Sequence, residues 1–245
     1  MRTDKVFTVV NYAPGMVSTY DAQTMANKIT RRANNVTEGS AVRSGVWVPK
    51  QDMVMLGFSK GEILFTQAAN LKDMVVPTTV VKLTSPPNGM TLFNDVVIIA
   101  SDAGVVYFLP ARVAEQSELF QQRLSLTQDL YSVVRSHNPN SIGEFILLSS
   151  QGVHFRTLAS NGLGFNEDNK SHHLLDHGMV TSLAVLTPSH VVFMAPTSTV
   201  PLIHFDIESK TVLRNIQWPG SIPVEVTATP EGRLVVKDTM AVWLQ

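Results

Sequence analysis

The 245-residue sequence contains no cysteine, which excludes a disulfide framework and any thiolate metal centre. It has no apolar run approaching the roughly 18 residues that cross a bilayer as a helix, so membrane insertion is not expected. Charged residues make up only 16% of the chain and nearly cancel, 19 basic against 20 acidic. A net charge of −1 offers no basic face to displace counterions, so nucleic acid is not an expected partner. The nearest thing to a basic cluster is Lys28, Arg31 and Arg32, for which a solvated loop is the plain reading. The opening residues, Met-Arg-Thr-Asp-Lys, lack the apolar core of a secretory leader. Together these absences set the expectation of an intracellular protein, cytoplasmic or nuclear.

The usual chemical signatures are missing too. There is no Gly-x-Ser-x-Gly elbow and no phosphate-cradling loop ending in Lys-Ser/Thr. Asn161-Gly-Leu-Gly has two glycines outside any strand–turn–helix context and reads as a loop tip. Asn35-Val36-Thr37 fits the glycosylation acceptor pattern, with no leader to bring it to the secretory route. Ser171–His177 holds three histidines and Asp176, the densest titratable group. On a helix His173 and His177 share a face and suit zinc. On a strand they stand about 13 Å apart at about 3.3 Å per residue, too far for one ion. The periodicity favours the strand, so neither metal nor other cofactor is expected.

What the sequence does have is paired apolar runs, each pair joined by a glycine-bearing or polar turn. They are Lys5–Tyr12 with Met16–Asp21, Asp52–Phe58 with Glu62–Gln67, and Asp95–Ser101 with Val105–Leu109. Glu144–Ser149 with Val153–Leu158, His190–Ala195 with Pro201–Ile207, and Arg233–Lys237 with Met240–Gln245 complete the set. The first members begin at 5, 52, 95, 144, 190 and 233, a spacing of 43 to 49 residues. A period of that size in a β pattern predicts propeller blades. With 44% hydrophobic residues the chain can fill such a core. Runs such as Val96–Ala100, short and rich in β-branched residues, suit strands buried on both faces.

Each unit adds an apolar run before the pair and a more polar one after it. The leading runs are Ala41–Val48, Gly89–Phe93, Leu130–Arg135, Val180–Leu186 and Val224–Ala228. The trailing ones are Lys28–Arg32, Thr79–Leu83, His173–Leu175 and Thr211–Gln217. The predicted architecture is therefore all-β, a single propeller domain over residues 1–245. It has about six four-stranded blades, the first and last each one strand short. Those incomplete blades are predicted sites for strand addition by a partner. Ala111–Asp129 breaks the pattern: Val113, Phe120 and Leu124 at helix-like spacing read as a short helix, with an irregular outer strand as the alternative.

Towards the C-terminus the pattern becomes more specific. Val180–Ala195 leads to Ile203-His-Phe-Asp-Ile-Glu-Ser-Lys-Thr-Val-Leu, and Val224–Val236 repeats the first two strands around Pro230-Glu231-Gly232. Tyr20-Asp21 and Phe205-Asp206 stand in a dipeptide position that Trp243-Leu244 fills with its aspartate replaced. In these features the chain resembles a degenerate tryptophan–aspartate (WD) repeat protein. The resemblance covers most of the chain by period and about three units by motif. It implies a rigid, non-catalytic platform on which other protein subunits assemble.

A glycan- or small-ligand-binding propeller predicts matching pocket residues in every unit, and none are visible. A propeller hydrolase needs paired acids on its innermost strands. The innermost runs offer only Glu225. Trp47, Phe65, Tyr107, Phe108 and Phe205 fall within strands and read as core. Trp218, beside Pro219-Gly220, reads as a buried loop plug or an exposed anchor, a role in which tryptophan is enriched. The candidate partner-binding residues are Trp218, Arg31, Arg32, Phe165 and Trp243.

Overall fold

The computed structural model describes residues 7–10, 16–21, 27–32, 36–67, 79–111, 119–124, 129–136, 141, 143–166, 179–229 and 231–244. Side chains are described from residue 36 onward, except at 66–67 and 79–80. The chain divides into two compact units, Met1–Gln121 and Gln122–Gln245. Every sheet is an antiparallel meander in chain order.

The first unit opens with β1 (Phe7–Val10), β2 (Met16–Asp21) and β3 (Asn27–Arg32). A four-stranded sheet follows: β4 (Val42–Val48), β5 (Met53–Phe58), β6 (Glu62–Gln67) and β7 (Thr79–Lys82). The next comprises β8 (Pro87–Phe93), β9 (Val96–Ser101), β10 (Val105–Pro110) and β11 (Phe120–Arg123), the division between units falling within β11. The second unit holds β12 (Leu130–Arg135), β13 (Glu144–Ser149) and β14 (Gly152–Thr157). Then come β15 (Ser182–Val185), β16 (His190–Met194), β17 (Leu202–Asp206) and β18 (Thr211–Ile216). The last sheet is β19 (Pro223–Ala228), β20 (Leu234–Asp238) and β21 (Val242–Leu244).

The expectation of about six blades is corrected to five. Five sheets, from β4 to β21, bury apolar faces against a neighbouring sheet. The first meander, β1–β3, has defined backbone pairing, but its side chains lie outside the described residues. The strand tally differs as well. The β12–β14 sheet has three described strands, and its predicted fourth, His173–Leu175, lies outside the described residues. Of the two readings of Ala111–Asp129, the short helix gives way to the alternative, an outer strand, where the chain is described. Phe120–Arg123 is a strand, because pairing beside β10 outweighs the local helical spacing.

The sheets pack face to face within each unit. Val48, Met55, Ile63 and Phe65 of one sheet meet Val97, Ile99, Tyr107 and Leu109 of the next. In the second unit Ile146, Leu148, Val153 and Phe155 pack on Val191, Phe193, Ile203 and Phe205. The opposite face of that middle sheet, through Val192, Met194 and Leu202, covers Val226, Leu234 and Val236. Leading strands also meet one another. The Ser182 hydroxyl donates to the Val226 carbonyl and accepts from its N–H, both at 3.1 Å.

The same irregularity recurs in four sheets. Pairing between first and second strands skips one residue at Arg43, Asn88, Tyr131 and Val224, always the second position of the leading strand. Such bulges bend and twist a strand, and their shared position marks the units as structural repeats. Adjacent bulges touch in the first unit, where Arg43 Nη1 donates to Asn88 Oδ1 at 2.7 Å. Turn chemistry is equally local. Gly61 has φ +90°, and a Cβ added there would lie 2.7 Å from the Leu83 carbonyl oxygen, so only glycine fits.

Candidate functional site

Three buried carboxylates hold loops and strands together. Glu62, at the start of β6, accepts from the Thr37 N–H (3.3 Å), the Thr37 hydroxyl, the Ser40 hydroxyl (3.0 Å) and Lys82 Nζ (2.9 Å). Burial pushes its pKa up, but these donors outweigh burial and bring it down to about 2. Glu144 occupies the same place in β13 and pairs with Lys210. Asp238, at the end of β20, accepts from the N–H groups of Met240 and Ala241, both at 2.7 Å, and from the Trp243 indole at 2.8 Å. Desolvation opposes the ionised form of Asp238, and these donors override it and lower the pKa.

The Asp238 clasp defines the last sheet. Val236 lies opposite Trp243, Lys237 opposite Val242, and Val235 opposite Leu244. Because side chains alternate, Val226, Val236 and Trp243 share the face turned to the middle sheet. Trp243 meets Trp218 edge to face, ring centres 6.0 Å apart. The other face carries Glu225, Thr227, Val235, Lys237, Val242 and Leu244, with Val242 67% and Leu244 57% exposed. Met240 (84%), Ile222 and Val224 are exposed nearby in sequence. Exposed apolar residues are ordinary singly, but a concentration of this kind marks an interaction surface.

The predicted partner-binding residues divide accordingly. Trp218 and Trp243 come together; Trp218 is half-buried against the core of the last two sheets, so it is partly the loop plug. Arg31 and Arg32 sit in β3 opposite Val17 and Met16, their side chains outside the described residues. Phe165 is only 3% exposed and packs on Phe145, centroids 5.7 Å apart. It is held there by Gln122, which accepts from the Phe165 N–H at 2.7 Å and donates to its carbonyl at 2.9 Å. The loop it was read from begins as a closed turn, with Leu163 N–H donating to Asn161 Oδ1 at 3.0 Å. Sequence reasoning missed Asp238, Val242, Leu244 and Met240. The signal for the last three was the run Met240–Leu244, apolar without alternation.

Catalytic geometry is thin. Ser149 Oγ lies 2.8 Å from His154 Nε2, a nucleophile–base spacing, but both residues are sealed in the sheet. Glu225 is exposed, and no second acid joins it on its sheet face. Among the described residues no cluster of three metal-ligating side chains exists, and His173 and His177 lie outside them. No described helix is long and apolar enough to cross a membrane.

The turn after β17 matches the repeat expectation. Asp206 Oδ1 accepts from the Glu208 N–H at 2.9 Å and Oδ2 from the Ser209 hydroxyl at 2.8 Å, shaping the reversal into β18. Repeated meanders with this turn, packed leading strand to leading strand, give the chain a WD-repeat-like β-propeller fold. The solved structures agree. The chain is similar over 98% of its length to the WD40 domain of Neurospora crassa Pan2, covering 71% of that chain (TM-score 0.71, 11% identity). A chain from the crystal structure of a mitotic checkpoint complex is similar over 98% of this one and 70% of its own length (TM-score 0.74, 14% identity). The computationally designed protein Ika8 matches at TM-score 0.63 and 12% identity, over 98% and 68% of the two chains. At such identities the likeness shows the fold alone. No protein-family model and no curated protein matches the sequence.

Proposed function

We propose that this chain, over residues 1–245, is a non-catalytic propeller domain that docks protein subunits of a multi-protein intracellular assembly, in cytoplasm or nucleus. The terminal sheets serve as docking points, and partner strands add to them. The observation that carries this reading is the exposed apolar pair of the last strand, Val242 and Leu244, fixed from behind by Asp238. The neighbour from a mitotic checkpoint complex gives the reading a precedent, since that chain belongs to an assembly. Against a ligand pocket in every blade stands the chemistry of the four bulges: Arg43, Asn88, Tyr131 and Val224 share a position and nothing else.

The test is affinity purification of the tagged full chain beside a Val242→Asp/Leu244→Asp variant, with circular dichroism to verify that both fold. The proposal expects a stable set of co-purifying subunits that the variant loses. An unchanged set, or none with either protein, contradicts it.

A further inference from the structure

The buried charges described so far all have partners. Glu62 has Lys82, Glu144 has Lys210, and Asp238 takes two backbone N–H groups and an indole. Arg156, in β14, departs from this rule. It is only 5% exposed, and among the described residues its guanidinium makes one hydrogen bond, from Nη1 to the neighbouring Phe155 carbonyl at 3.3 Å. No described carboxylate pairs with it, and burial is the single cause acting on its pKa, which it lowers. A guanidinium has five N–H donors and keeps its charge at any ordinary pH. Buried without a counter-charge, such a group is strongly destabilising. None of its nitrogens is a sealed atom without a partner, so the unused N–H groups reach water through the small part that stays exposed.

The face around Arg156 is basic as well. Strand register sets Arg156 opposite Phe145 and Phe145 opposite Arg135, one row across β12, β13 and β14. The next row is Val133, Leu147 and His154. Ile146, Leu148, Val153 and Phe155 alternate with these and pack on the β15–β18 sheet, so both rows belong to the opposite face. The three strands contain one acid, Glu144, and it lies on the other face, where it holds Lys210. The first row thus runs from an exposed arginine, Arg135, to a buried one, with the Phe145 ring between them. Phe165 packs on that ring, and Gln122 fixes the Phe165 backbone through both its N–H and its carbonyl. The apolar wall of the row is therefore set before anything binds.

We propose that Arg156 anchors a binding site for a small tetrahedral oxyanion of the phosphate class, with Arg135 closing on it from the solvent side. The two arginines stand two strand spacings apart, about 10 Å, so their side chains can converge on one anion. Guanidinium groups offer the forked donors that phosphate oxygens accept. The burial of Arg156 restricts the ligand to a small free anion rather than a phosphate carried by a folded partner. The site lies on a different sheet from the docking surface proposed above, and neither reading depends on the other.

The probe is inorganic phosphate at about 20 mM, added to the full chain beside sodium chloride and sodium acetate at equal ionic strength, with melting followed by circular dichroism. The wild type is expected to melt roughly 3 °C higher in phosphate than in chloride, Arg135→Gln to keep a smaller gain, and Arg156→Met to gain nothing. Equal gains in the wild type and Arg156→Met mark an adventitious ion and overturn the proposal. A wild type that melts alike in phosphate and chloride overturns it too, and acetate matching phosphate overturns the choice of ligand class. Crystals of the wild type soaked in phosphate keep the test independent of whether the variants fold. Tetrahedral density within hydrogen-bond reach of the Arg156 guanidinium supports the site, and its absence contradicts it.

Discussion

Lys210 Nζ lies 2.8 Å from Glu144 Oε2, joining the β17–β18 turn to the start of β13, 66 residues away. The same ammonium stands 3.7 Å from the centre of the Phe155 ring. Phe155 in turn stacks on Phe205 at 5.8 Å, so one cation bridges two packed sheets through a charge and a ring. Burial lowers the Lys210 pKa, and the hydrogen bond and charge of Glu144 oppose that shift. Lys210 also takes φ 57°, a left-handed turn position that its long side chain exploits to fold back on the sheet.

Removing one member of this pair strands the other. Lys210→Met leaves the Glu144 carboxylate buried without its cation and is expected to cost about 2–3 kcal/mol in urea unfolding. The double variant Lys210→Met/Glu144→Gln is expected to recover more than half of that loss. Strict additivity of the two single changes contradicts the coupling.

Glu62 gives the fold an acid-sensitive lock. Its pKa is about 2 folded against 4.5 unfolded, so its contribution is complete above pH 4.5 and fades as pH falls towards 2. A difference of that size is worth on the order of 3 kcal/mol at neutral pH. Glu62→Gln is expected to lower the melting temperature at pH 7 and to match the wild type near pH 2. Parallel melting curves across that window, offset equally at every pH, contradict the assignment.

His204 acts in the same direction at higher pH. Burial lowers its pKa first, and the charges of His190 and Arg214 lower it further, against a pull from Asp206. The His190 ring meets it edge-on, centres 5.2 Å apart. A histidine with a depressed folded pKa stabilises above the unfolded value near 6.5 and loses that contribution as pH falls below it. His204→Leu is expected to flatten the stability profile just below pH 6.5, measured by chemical denaturation at several pH values. An unaltered slope contradicts this.

How legible all this is in the sequence depends on range. The paired runs reproduce β2, β6 and β13 residue for residue, because a hairpin is written in a dozen consecutive residues: apolar runs and a turn. The outer strands are harder. Phe120–Arg123 has helical spacing and becomes a strand because a neighbouring sheet edge satisfies its backbone. The carboxylate clasps leave no periodic trace. Glu62 finds Lys82 on the neighbouring strand, and Glu144 finds Lys210 in the next sheet, partners that only folding brings together. Phe165 reads as a loop aromatic, and nothing local announces that Gln122 will hold its backbone and bury it. Trp243 was legible as a candidate; Asp238, which positions it, was not.

Asp238 therefore offers a structural test separate from binding. Asp238→Ala removes the acceptor of three N–H groups and is expected to free β21 while leaving β19 and β20 paired. Exchange at Val242–Leu244 should accelerate and Trp243 emission should shift to the red, with little change elsewhere. Global unfolding, or no change at β21, contradicts the clasp.

The most direct measurement is amide exchange of this chain inside the assembly purified with it, compared with the free chain. The account predicts that protection gained on assembly concentrates at Val242–Leu244 and the exposed face around them. Protection gained elsewhere, with β21 exchanging as fast as in the free chain, contradicts it.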